Sequence, residues 1–371
     1  MTFSLFQRFR KLCLTTAVIS SLMITAAHAQ KKELYIYNWS DFIAEDTIAN
    51  FEKRTGVEVI YDVFDSLETL EAKLLSGKTG YDLVFPTASN MARQIVAGAY
   101  QPLDRNKLSN WENLDRELMA KVEMFDPGNQ YAVPYMWGTT GIGYNPDLVK
   151  KYLGTDAPTD SWDLVFNEEN IKKLSRCGVA FLDAYDEVIP AALVHEGLDP
   201  NSRNRDDYKK AEQLLMKVRP YITYFHSSKF ISDLANGDIC VAVGWSGDIF
   251  QAADRAREAK NSIHIEYSIP KEGSGMYFDM VAMPRDAQNI GEAYQFLNYL
   301  LEPEVMANIQ NYVSYASANK AAIPFLDDHI KNNPAIYPDL KTKKNLFTFD
   351  VFDIKDDKPR IRLFTKIKSG I

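Results

Sequence analysis

What most limits how this chain can fold is a regular alternation of strand and helix signals, broken at two places. Residues 33–38 read as a buried strand, with Leu34 and Ile36 between Tyr35 and Tyr37, and end at Trp39-Ser40-Asp41. A helical pattern over 44–54 follows, with Ile48 and Phe51 on one face and Gly56 as a stop. Residues 57–64 form the next strand signal. Asp65 or Ser66 can then cap a helix whose stripe is Leu67, Leu70 and Leu74, closed by Gly77. Residues 81–85 give a third strand and lead through Thr87 into another helix. Helices that alternate with strands predict an α/β protein with mostly parallel sheets covered on both faces.

The first break is 133–144, an extended aromatic run with three glycines, expected to cross from one lobe to another. A second strand–helix series runs from about 147 to 260 and includes strand signals at 179–182 and 239–243. Residues 263–269 and the Pro270–Gly275 loop are expected to cross back, followed by a strand over 276–283 and a helix over 291–301 stopped by Pro303. Two crossings imply two discontinuous lobes with a cleft between them. The expected boundaries are 30–136 plus 265–322 for the first lobe and 137–264 plus 323–371 for the second.

The first 29 residues read as an export signal. Arg8, Arg10 and Lys11 precede an apolar stretch over 12–26, and Ala27-His28-Ala29 is a small-residue cleavage site. That stretch is too short for a spanning helix, and no later run approaches the ~20 residues one needs. A soluble, exported protein is expected, and the family resemblance given below implies the periplasm. Removing three basic groups makes a formal charge of −8 more negative still. Net acidity argues against nucleic acid as a partner and is compatible with a cationic ligand. Cys177 and Cys240 are the cysteines left after cleavage, and an oxidising compartment makes a disulfide the default, with a free buried pair as the alternative.

Several apparent motifs fail on spacing. Gly244-Trp245-Ser246-Gly247-Asp248 resembles a hydrolase nucleophile elbow, but Asp248 stands where the second glycine belongs. Gly77-Lys78-Thr79 has Ala72 where a phosphate loop needs glycine, and the glycines of 138–143 are in the wrong order for a dinucleotide site. Asn38-Trp39-Ser40 matches a glycosylation sequon at a position expected to face inward. His195, His226, His264 and His329 have no metal-ligand spacing. No cofactor, metal or catalytic residue is expected.

What recurs is a carboxylate beside an aromatic near a strand end. The instances are Trp39-Ser40-Asp41, Asp183-Ala184-Tyr185-Asp186-Glu187, Trp245-Ser246-Gly247-Asp248 and Tyr277-Phe278-Asp279. Trp245 and Asp248 are expected on a loop that Gly244 and Gly247 allow to turn tightly. A cleft of acids and aromatics suits an alkyl polyamine. A desolvated ammonium needs a well-placed carboxylate, an aromatic face adds about 0.5–2 kcal/mol, and each buried methylene adds about 0.8 kcal/mol. Micromolar binding needs about 8 kcal/mol, so walls and acids at both ends are required together. An exported hydrolase using two of the acids is the alternative from another class.

The chain resembles the periplasmic polyamine-binding proteins of ABC importers, most closely the putrescine-binding branch. The resemblance is carried by Tyr37-Asn38-Trp39-Ser40-Asp41, Tyr61-Asp62-Val63-Phe64-Asp65-Ser66, Pro134-Tyr135-Met136-Trp137, Tyr224-Phe225-His226-Ser227-Ser228, Asp233 to Cys240 and Ala293 to Leu301. It implies a two-lobed, type II-like binding protein, monomeric, that closes over its ligand and serves a membrane permease; hinge closure of this kind is a known mode of switching. It further implies that Asp248 and Asp279 pair with one ammonium group, with Glu187 and Asp41 at or near the other end. Trp39, Trp245, Tyr277 and Tyr315 would wall the methylene chain, and Ser40 and Thr87 would supply hydroxyls. Cys177 and Cys240 match the family's disulfide. Three positions depart from the branch: Phe42 stands for tyrosine, Thr87 for serine and Tyr277 for phenylalanine, and each bears on how long a polyamine fits. Putrescine is the first expectation, ahead of spermidine, agmatine and cadaverine.

Overall fold

The computed structural model describes residues 32–370, so the expected export signal and its cleavage site at Ala29 lie outside the described residues. The strands in chain order are β1 (Glu33–Trp39), β2 (Glu58–Phe64), β3 (Leu83–Val84), β4 (Ala132–Tyr144), β5 (Val179–Phe181), β6 (Tyr224–Phe225), β7 (Val241–Trp245), β8 (Glu266–Ser268), β9 (Ser274–Ala282), β10 (Ala316–Ser317) and β11 (Leu346–Thr348). Their main order is β2-β1-β3-β9-β4-β7-β5-β6. The strands that alternate with helices pair in parallel: β1 with β2 and β3, and β5 with β6 and β7. Every antiparallel pairing involves β4 or β9.

The local signals explain the elements. Helix Thr47–Thr55 stops at Gly56, whose φ of 71° a side chain would resist. Ser66 caps helix Leu67–Leu75 by accepting a hydrogen bond from the Thr69 backbone N–H at 3.3 Å. Asn38 is fully buried and its amide donates to the Tyr61 hydroxyl at 2.9 Å, which keeps this sequon inside.

The expected crossing at 133–144 is β4, thirteen residues long and buried throughout. Its residues up to Thr139 pair with β9, and those from Thr140 onward pair with β7 and β8. The hydrophobic interior divides at the same place. Trp137 belongs to one core, with Phe51, Leu70, Phe85, Phe278 and Phe296. Ile142 belongs to a second, with Trp162, Phe181, Phe230 and Val243. Two cores joined by continuous strands are the physical content of a two-lobed α/β architecture.

The tail departs from expectation. Leu326, Ile330, Ile336 and Phe349 pack in the first core, and β11 pairs with β9, whereas the sequence pattern places 323–371 in the second lobe. Tyr337 explains the return, since its ring meets Trp137 edge-on at 6.2 Å and its hydroxyl donates to the Gln310 side chain. The last helix, Ile354–Ser369, does reach the second core, through Leu363, Phe364 and Ile367. A disulfide links Cys177 to Cys240 across a Cα separation of 5.5 Å, pinning the approach to β5 against the start of β7. Among the described residues no helix is long and apolar enough to cross a membrane.

Candidate functional site

The carboxyl ends of six parallel strands converge on one cleft. Trp39 and Ser40 follow β1, Asp65 to Glu68 follow β2, and Thr87 lies just beyond β3. From the second core come Asp183 to Glu187 after β5, Ser227 and Ser228 after β6, and Trp245 with Asp248 at the end of β7. Ligands of open α/β sheets gather at such strand ends. Tyr277 and Asp279 enter from the middle of β9, and Tyr315 from the segment before β10. The empty volume, part of it open to solvent, is about 720 Å³, in the range of small-molecule sites.

Helix Ser246–Glu258 begins directly after β7, so Asp248 lies in its first turn and not on a loop. Glu187 likewise lies in the first turn of helix Tyr185–His195. The positive end of a helix dipole favours a carboxylate there. The glycines also have another purpose than the expected turn. A Cβ on Gly247 would overlap the ring of Tyr315, and one on Gly244 would press on Phe230 and Ile249. Gly247 is therefore the place where the second core's helix closes against a side chain of the first core.

Three acids form the centre of the site, and each is tied to a neighbour. Tyr315 donates its hydroxyl to Asp248 Oδ1 at 2.8 Å, and Thr87 donates to Asp279 Oδ1 at 2.7 Å. Glu187 accepts from the Thr140 hydroxyl and from Trp245 Nε1, the latter at 3.4 Å. The aromatic walls interlock: Trp245 lies 5.8 Å from Trp39 and 6.3 Å from Tyr277 between ring centroids, both edge-on. Phe42 meets Tyr315 edge-on at 5.0 Å.

Asp279, Asp248 and Glu187 are only 5 %, 8 % and 8 % exposed. Burial pushes Asp279 up to about 7 against the Thr87 hydrogen bond. Burial raises Asp248 to about 7, with the charges of Asp41 and Asp279 adding to it and the Tyr315 bond opposing. Glu187 rises to about 8, by burial first and the Asp186 charge second. Around them Asp65, Glu68, Asp183 and Asp186 complete a lining with seven carboxylates and no lysine, arginine or histidine. Buried acids without a counter-charge favour protonation, so the site is built to gain from a cation that enters it. Among the described residues no group of His, Cys, Asp and Glu has the arrangement to hold a metal ion.

Nine of the ten candidate residues line the cleft: Trp39, Ser40, Thr87, Glu187, Trp245, Asp248, Tyr277, Asp279 and Tyr315. Asp41 does not. It adopts φ 55°, which turns the chain aside, and its carboxylate accepts from Arg255 Nη2 at 2.6 Å on the cleft rim. Asp183 and Asp186, from the same acid–aromatic stretch as Glu187, also line the cleft, and residues 65–68, Ser227 and Ser228 join them although no ligand role is expected for them from the sequence. Their position after β2, β5 and β6 was the available signal.

A family model described as bacterial extracellular solute-binding protein matches residues 46–338. The chain is 56% identical over 358 residues to the putrescine-binding periplasmic protein of Escherichia coli (strain K12), covering 96% of this chain and 97% of that one. It is 54% identical over 364 residues to the putrescine-binding periplasmic protein of Pseudomonas aeruginosa (strain UCBPP-PA14), covering 98% and 99%. Among solved structures, a putative spermidine/putrescine ABC transporter from Listeria monocytogenes superposes with a TM-score of 0.81 at 32% identity, covering 91% of this chain and 99% of that chain.

Proposed function

Since this chain belongs to the family of bacterial extracellular solute-binding proteins, we propose that it captures a polyamine, putrescine first, in its cleft and delivers it to an ABC import permease from the periplasm. The observation that carries the reading is a cleft lined by seven carboxylates and no basic side chain, with aromatic walls between them. A linear diamine matches each part. One ammonium lies between Asp248 and Asp279 and the other at Glu187, while Trp39, Trp245 and Tyr277 enclose the methylenes. Four buried methylenes contribute roughly 3 kcal/mol, and the charge-assisted hydrogen bonds at the ends supply the rest. Spermidine, agmatine and cadaverine share the chemistry and rank behind putrescine.

The same proposal assigns 33–139 with 274–349 to one lobe and 140–273 with 350–370 to the other, closing on the ligand as a monomer. Family membership in a solute-binding group sets aside the exported hydrolase. Calorimetry on protein stripped of carried-over ligand tests the reading with putrescine and n-butylamine side by side. Putrescine should bind at least tenfold more tightly, because the monoamine leaves one end of the cleft without a charge partner. Equal affinity, or no heat with putrescine, contradicts it.

A further inference from the structure

The last helix carries a buried ion-pair cluster whose members are not among the residues that line the cleft. Asp357, 1 % exposed, uses both carboxylate oxygens. Oδ2 accepts from Arg93 Nη1 at 2.6 Å and from the Tyr185 hydroxyl at 2.8 Å, and Oδ1 accepts from Arg360 Nη1 at 3.0 Å. The Arg360 guanidinium lies 4.1 Å from the Phe352 ring centroid and 5.4 Å from that of Tyr185. The three donors come from different parts of the molecule. Arg93 is on helix Ala88–Val96, whose Ala88 and Met91 pack in the first core. Asp357 and Arg360 are on helix Ile354–Ser369, whose apolar residues pack in the second. Tyr185 opens the helix whose third residue is the cleft acid Glu187.

We propose that Arg93 and Asp357 form a latch remote from the ligand, which holds the two lobes together over it and, through Tyr185, positions the helix turn that presents Glu187. The proposal rests on the reading of the protein as a lobe-closing polyamine receptor. Arg93 is the separable half. When the lobes part, Asp357 keeps Arg360 and Tyr185, so its buried charge remains balanced. Arg93 keeps Glu71, which lies 3.4 Å away on the first-core side. The contact thus exists for the closed arrangement, and neither lobe needs it in order to fold. Interactions made only in the bound arrangement appear in the dissociation rate more than in the association rate.

Stopped-flow tryptophan fluorescence with putrescine tests the latch, using R93Q, the conservative R93K, and E71Q as a control inside the first lobe. R93Q should raise the dissociation rate about tenfold, leave the association rate within about twofold, and leave the thermal midpoint of the ligand-free protein unchanged. R93K should recover part of the loss, and E71Q should match wild type. A wild-type dissociation rate in R93Q, or an equal effect of E71Q, overturns the latch. If wild-type protein gives no putrescine signal, the ligand reading fails by itself. Small-angle X-ray scattering then reads the latch directly, as a larger radius of gyration in R93Q than in wild type and E71Q. Identical scattering from all three overturns it.

Discussion

The two ends of the cleft are built differently. At the Glu187 end the acid, its Thr140 donor and its Trp245 donor stand on β4, β7 and a second-core helix, all within one sheet neighbourhood. At the other end Asp248 comes from the second core's helix while its hydroxyl partner Tyr315 and the neighbouring Asp279 come from the first-core side. One end therefore lies within the second core's neighbourhood, and the other joins residues of both cores. In the proposed binding mode a cation between Asp248 and Asp279 offsets the repulsion of two acids that lobe closure would bring together.

That contrast predicts the largest effect at the assembled end. D279N or D248N should weaken putrescine binding by on the order of 2–5 kcal/mol at pH 8, since a buried ammonium loses its partner. The same substitutions should stabilise the ligand-free protein at that pH. The folded-state values lie above the ordinary carboxylate range, so stability contributed by these acids is present below about 4 and lost as pH rises through about 7. E187Q should cost less, about 1.5–3 kcal/mol, the range for a single charged hydrogen bond. Calorimetry on the three variants ranks the ends, and a larger loss from E187Q reverses the comparison.

G247A tests assembly without touching a charge. Its methyl group would meet the Tyr315 ring across the cleft, so closure should cost about 1–3 kcal/mol. Ligand affinity should fall by that amount while the thermal midpoint of the free protein holds; a fall in both would make Gly247 a packing residue of one lobe. R255A should have the smallest effect, roughly 0.2–1 kcal/mol in affinity, because the Arg255–Asp41 pair is more than a third exposed on both sides. Raised salt should mimic R255A and leave the order of the other variants unchanged.

Much of this site was legible because strand ends are legible. Trp39, Thr87, Glu187 and Trp245 follow apolar runs, and the parallel topology that those runs imply sends such residues to one edge. Asp41 shows the limit: two residues past the strand, its side chain is set by a left-handed backbone angle and by an arginine on a helix of the other core. Neither partner nor angle leaves a trace in local pattern. Gly247 was visible as a glycine but not as a contact, since Tyr315 is distant in sequence. The stretch containing Leu326, Ile336 and Phe349 lacks the strand–helix alternation that placed the rest. Only contacts such as Tyr337 with Trp137 and Gln310 assign it to the first core.

In the proposed binding mode, buried, partly protonated acids become the ligand's counter-charges. Alkylammonium groups stay protonated well above neutrality, so between pH 6 and 8 only the protein titrates. Putrescine titrations at pH 6, 7 and 8, each in two buffers of different ionisation enthalpy, test this most directly. Protons should be released on binding at pH 6 and 7, and affinity should fall at least tenfold from pH 8 to pH 6. Affinity independent of pH with no proton release would contradict it.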